Sequence, residues 1–283
     1  MKPAAPLFLS LLLLAGCHKS VAPPPTSQAV FDTAPSAMPL TPVLKEVSGI
    51  ADSKTAPGHL WAEEDSGNPP QLWLIAYDGT VQKKVYLKGA TNHGWEDMCR
   101  NGNDLYVGDF GDNNMVRTAY AIYKFAEPEE TADTVYNFQK IIYQYPEGSH
   151  DADALLVDPA TNDIYIITKQ DTPSAIYKIA FPYSTTSTNT AERVGTLSYT
   201  GAVGAALSPD GTELLVKTYV TMYYYKRGDK SIEAALQTAP TILPYKVEPQ
   251  GEAVTFAADN SGFFTLSEKA LASNINLYFY KRR

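Results

Sequence analysis

Five residues, Ser48, Glu96, Asp153, Gly204 and Glu252, fall about 50 residues apart, each at the head of a short apolar run. Three are carboxylates and one is a hydroxyl. If the fold brings these positions together, the carboxylates repel and raise one another's pKa unless a cation neutralises them. Oxygen donors of this kind suit a hard cation, and a roomy ring favours Ca²⁺ over Mg²⁺. Zinc has no support, because His59, His93 and His150 are scattered and Cys99 stands apart.

A second set lies at the ends of later strand patterns: Glu63, Glu64 and Asp65 in EEDSGN, Asp109, Asp112 and Asn113 in GDFGDN, Lys169 in ITKQD, Lys217 in VKTY, and Glu268 in LSE. Two lysines facing several acids offer point charges to a metal-bridged phosphate, with Asp65 or Glu268 placed to polarise a water. Each residue alone is equally a turn cap or a structural ion pair. Recurrence at equivalent places makes the set as a whole a functional face. Ser48 and Ser66 have no accompanying His and Asp phrase, so serine hydrolysis finds no support.

The elements that position these residues repeat five times. A small apolar strand recurs as VSGIADS, WEDMCRN, ADALLVD, VGAALSP and EAVTFAA. A second strand follows each, then an aromatic third strand such as AIYKFAEP, AIYKIAFP or MYYYKRGD, then a less regular fourth. DPATND and SPDGTE join first to second strands as hairpin turns. Such repeats describe an all-β, five-bladed β-propeller, in which first strands line a central channel and aromatics pack between blades. The fifth blade runs out of chain at Arg283, and the segment 40–46, LTPVLKE, is expected to close it as an N-terminal strand.

The phrases SG at Ser48, WED at Glu96, DAD at Asp153 and QGE at Glu252 resemble those of the calcium-activated nucleotidases, the five-bladed apyrase family. The resemblance implies an axial Ca²⁺ with one ligand from each blade. Gly204 departs from it and offers only a backbone oxygen. The phrases DSGN, WED, GDFGDN and EPQGEA are also similar to the esterase-like phytase domain and to bacterial propeller lipoproteins.

The first 16 residues carry Lys2 and an apolar run too short to span a bilayer, which reads as an export signal. Its ending, LAGC, resembles a lipobox and makes Cys17 the acylated N-terminus, anchoring the chain in the bacterial envelope. His18 follows where an inner-membrane retention signal has aspartate, so the outer membrane is expected. Residues 17–39, rich in Pro, Ala, Ser and Thr, read as a tether, and 40–283 as the propeller. A net charge of −8 argues against a nucleic-acid polymer as partner. Two functions follow. One is a binding module with an axial Ca²⁺, presenting its acidic mouth to an anionic small molecule, protein or glycan. The other is a Ca²⁺-dependent phosphoester or phosphoanhydride hydrolase.

Overall fold

The computed structural model describes Met1 and residues 29–270, 272 and 274–283. Cys17 and most of the expected tether lie outside the described residues. Five antiparallel sheets form the five blades. Their inner strands are Val47–Asp52, Trp95–Asn101, Ala152–Val157, Gly204–Leu207 and Ala253–Phe256. Each packs against the inner strands of both neighbours, the fifth returning to the first, which closes the ring.

Crowding at the axis explains the inner-strand composition. Val47–Asp52 and Ala152–Val157 are buried along their whole length, so small and branched residues replace a polar–apolar alternation. The outer strand Val81–Leu87 has one face in water and recovers the period of two. The hairpin turns are set by acidic side chains: Asp158 Oδ1 accepts the Ala160 N–H at 3.0 Å, and Asp210 Oδ1 accepts the Thr212 N–H at 3.0 Å.

The core is divided into five wedges, one between each pair of blades. Trp61 and Trp95 belong to the wedge between blades 1 and 2, Tyr143 and Tyr177 to that between blades 2 and 3, and Tyr165 and Tyr225 to that between blades 3 and 4. Aromatic third strands thus serve inter-blade packing, as expected.

Two features differ from the four-stranded expectation. Blades 1 and 2 each gain a short parallel fifth strand, Thr134–Val135 and Asn189–Thr190, delivered by the following blade. The closing strand is Ser36–Pro39, paired antiparallel to the final strand from Asn276 to Phe279, with a further bridge from Phe31 to Arg282. The segment 40–46 is therefore not the closure, and the fold begins inside the stretch read as tether. Pro42 lacks the N–H that a ladder needs, while Leu40 and Leu44 are drawn into the wedge between blades 5 and 1. Phe31 supplies the apolar anchor, edge-on to Phe263 at 4.9 Å and to Tyr224 at 5.9 Å.

Candidate functional site

Three inner strands are irregular at the same place. The pairing of blades 1, 2 and 3 skips one residue at Ser48, Glu96 and Asp153 respectively. A bulge re-aims the extra side chain, and here it turns equivalent residues of three blades towards one end of the channel. Glu252 stands immediately before the inner strand of blade 5. Gly204 begins that of blade 4 without a bulge, and a Cβ there would lie 2.4 Å from the Glu252 carbonyl oxygen. Blade 4 contributes no side chain because its neighbour's backbone occupies the space. Gly111 makes room in the same way, since a Cβ would collide with the Glu96 carboxylate.

All four side chains are buried: Ser48 0%, Glu96 4%, Asp153 0% and Glu252 3% exposed. Burial raises the Glu96 carboxyl well above its ordinary range, and Asp153, Asp65 and Glu252 push it further. Asp153 is raised by burial and pulled back by Lys169. The Lys169 ammonium lies 2.5 Å from Asp153 Oδ2 and 3.8 Å from Glu252 Oε1. Burial works against that charge, but the two carboxylates outweigh it and keep the amine protonated. The Tyr219 hydroxyl donates to Glu252 Oε1 at 2.7 Å. Thus one ammonium pairs with two of the three acids, and Glu96 has no ion pair among the described residues.

The fit to Ca²⁺ rests on unsatisfied oxygens. Ser48 Oγ, which lies beside Glu252, and Asp153 Oδ1 are buried with no hydrogen-bond partner among the described residues, and the donors are oxygens only, as a hard cation requires. Among the described residues, no three acidic, His or Cys side chains are already gathered closely enough to hold a metal. Lys169 stands among the acids instead, so a bound cation has to displace its ammonium.

The second set divides. Asp65 and Glu268 remain partly exposed at the mouth, and burial, with Glu252, Asp65 and Glu46 adding to it, pushes Glu268 up to about 7. Glu64 is buried, accepting the Trp73 indole N–H at 2.8 Å. Asp109 lies 3.2 Å from both Arg117 and His93. Asp112 accepts the Val116 and Arg117 N–H groups and the Tyr120 hydroxyl, holding the GDFGDN loop. Lys217 is fully buried, 3.3 Å from Glu248, and burial lowers its pKa. Neither lysine is free for a phosphate.

Two neighbours, Asp97 and Tyr219, carry no signal of their own in the sequence reading. Asp97, next to the bulge, turns into the channel and accepts the Leu155 N–H at 2.8 Å and the Ala205 N–H at 3.3 Å, tying three blades across the axis. Glu63, expected in the second set, is fully buried with both oxygens unpartnered among the described residues, and burial raises its pKa. Tyr219 lies in the bend two residues after the second strand of blade 4 ends, and its hydroxyl reaches Glu252 from there.

No protein-family model matches the chain, and no curated protein matches it. Its fold is similar to that of an auxiliary nutrient binding protein from Bacteroides thetaiotaomicron, with a TM-score of 0.50 and 9% identity over 89% of this chain and 73% of that one. It is also similar to the PQQ-bound aldose sugar dehydrogenase from Streptomyces coelicolor, with a TM-score of 0.52 and 9% identity over 89% of this chain and 100% of that one. At such identities the likeness is one of fold.

Proposed function

We propose that this protein is a binding module of the bacterial cell envelope, anchored through acylated Cys17 and with its domain outside the cytoplasm. Its acidic mouth takes Ca²⁺ through Ser48, Glu96, Asp153 and Glu252, with a backbone oxygen at Gly204. The observation that carries this reading is the excess of buried acid: Asp153 and Glu252 share the ammonium of Lys169 with Glu96 buried beside them, and Asp153 Oδ1 and Ser48 Oγ lack hydrogen-bond partners among the described residues. A cation supplies what is missing. Asp65 and Glu268 surround the site with further acid, so an anionic or oxygen-rich ligand reaches it by coordinating the metal.

The hydrolase reading draws less support, because Lys169 and Lys217 are both engaged by carboxylates. The Bacteroides neighbour is described as nutrient-binding; the binding role proposed here rests on the charge of the mouth.

Elemental analysis and phosphate-release assays test the proposal together. The Cys17→Ser chain is expected to retain calcium after gel filtration and to release no phosphate from nucleotides, sugar phosphates or inositol phosphates. Calcium-dependent release that is lost in Glu96→Gln overturns the binding reading in favour of the hydrolase.

A further inference from the structure

The rim of the propeller follows one rule at four blades. The segment that joins the third strand of a blade to its fourth reaches sideways and covers the outer edge of the blade before it. Thr134–Val135 of blade 2 covers blade 1, and Asn189–Thr190 of blade 3 covers blade 2. In blade 4 this segment holds the helix Ile232–Leu236, which packs with Val194 and Leu197 of blade 3, while Gln237 donates to the Thr196 carbonyl at 2.8 Å. In blade 1 the turn at Gly79 bonds to the chain just past the closing strand of blade 5. There the Thr41 N–H donates to the Gly79 carbonyl at 2.9 Å, and the Val81 N–H to the Thr41 carbonyl at 2.8 Å.

Blade 4 departs from the rule. Its outer strand, Thr241–Leu243, pairs with the strand Met222–Lys226 on one side and has no strand on the other among the described residues. The segment that topology assigns to cover it precedes the closing strand of blade 5. That segment is engaged elsewhere: Phe31 bridges Arg282, the Asp32 N–H donates to the Lys281 carbonyl at 2.8 Å, and the Val30 carbonyl accepts the Arg283 N–H at 3.0 Å. A groove is left between Ala29–Phe31 and Thr241–Pro244. Ile242 on its wall is 65% exposed. Lys226 and Lys230, both exposed, line the groove as well, and no carboxylate does among the described residues. An outer strand without a neighbour presents N–H and C=O groups on which another strand can form.

We propose that the outer edge of blade 4 binds an extended acidic segment of another protein, which adds a short strand along Thr241–Leu243 with its carboxylates towards Lys226 and Lys230. The four covered edges define the kind of occupant, a few residues of chain laid along the rim. The two lysines define its charge, and exposed Ile242 favours apolar residues between the acids. Strand addition of this kind draws affinity from main-chain bonds and selectivity from alternate side chains. Pairing stops at Leu243, because Pro244 has no N–H to offer. The site lies on the rim and is independent of the acidic mouth.

The full chain carrying Cys17→Ser tests this by calorimetry and amide hydrogen exchange with the peptide acetyl-VEVTEV-amide at up to about 5 mM, above a dissociation constant of about 1 mM. The peptide should bind and slow exchange across residues 241–243 by about tenfold. The same peptide with lysine for glutamate, or with its backbone N-methylated, should do neither. Changing both lysines, Lys226→Glu with Lys230→Glu, should weaken binding by about tenfold. Should that variant fail to fold, the comparison of peptides on the parent chain still decides. Unchanged exchange at 241–243, or equal binding of either control peptide, overturns the inference. So does slow exchange already present in the free chain: if it is lost in a chain beginning at Ala29, the preceding residues cover the edge, and if it grows with protein concentration, a second copy does.

Discussion

The Lys169 ammonium sits 2.5 Å from Asp153 and 3.8 Å from Glu252, so a side chain just past the second strand of blade 3 links the inner strand of blade 3 to the residue leading into that of blade 5. It is a tethered cation in the place where a free one would bind. On the proposed calcium reading, metal-free stability and metal affinity are opposed at this residue.

Lys169→Met removes the ammonium and leaves Asp153 buried and uncompensated. In metal-free buffer the variant should lose about 3–5 kcal/mol, the usual consequence of breaking a buried pair from one side. Denaturant unfolding in the presence of a chelator measures it.

Closure of the ring resides in the first described residues. A chain beginning at Ala29 keeps Phe31 and the Ser36–Pro39 strand and should melt like the parent, whereas one beginning at Leu40 loses both and should melt much lower. Phe31→Ala alone should cost about 3–5 kcal/mol, since it empties a site walled by Tyr224, Phe256 and Phe263. Equal melting of the two truncated chains would place the closure elsewhere.

The repeats were visible because inner strands at the crowded axis share a small, buried vocabulary, and SPDGTE and DPATND carry their own turn chemistry. Ser48, Glu96 and Asp153 could be aligned for the same reason. What the letters do not display is parity. The bulge at Glu96 sends Asp97 into the channel, although simple alternation puts it on the opposite face. The reach of Lys169 across to Asp153 and Glu252 depends on a flexible stem, and a linear reading leaves its partner open. The closing strand was misplaced by a few residues because Leu40 and Leu44 mimic a strand pattern while packing as wedge residues.

Glu127 is a structural clamp between blades 1 and 2. Its Oε1 accepts the Ser53 hydroxyl at 2.6 Å, the Lys54 N–H at 2.9 Å and the Trp61 indole N–H at 3.0 Å. Glu127→Ala strands these donors in a buried site and should destabilise the fold by about 3 kcal/mol, read from the urea midpoint. Loss of less than about 0.5 kcal/mol, the scale of a neutral surface change, would show that water replaces the carboxylate without penalty.

Stability should depend on pH through Asp52, whose carboxyl burial lifts from 3.8 to about 6. Below about pH 4 both folded and unfolded states hold the proton and no difference arises. As pH rises, the unfolded chain ionises first, so the stabilisation present at low pH is lost between about pH 4 and 6 and stays lost above it. The loss from this residue is on the order of 2–3 kcal/mol. Asp52→Asn should flatten that part of the melting-temperature profile, and an unchanged slope would remove Asp52 as its source.

The melting temperature of the Cys17→Ser chain with and without calcium, taken in parallel with Glu96→Gln and Lys169→Met on the same background, tests the axial site most directly. Calcium at a hundredfold excess over its dissociation constant should stabilise the parent by about 2.7 kcal/mol. Glu96→Gln should lose most of that gain, and Lys169→Met should show a larger gain at lower calcium because no ammonium has to be displaced. If calcium moves neither the parent nor Lys169→Met, and elemental analysis finds no metal in either, the mouth is neutralised by Lys169 and protons alone and the calcium account is wrong.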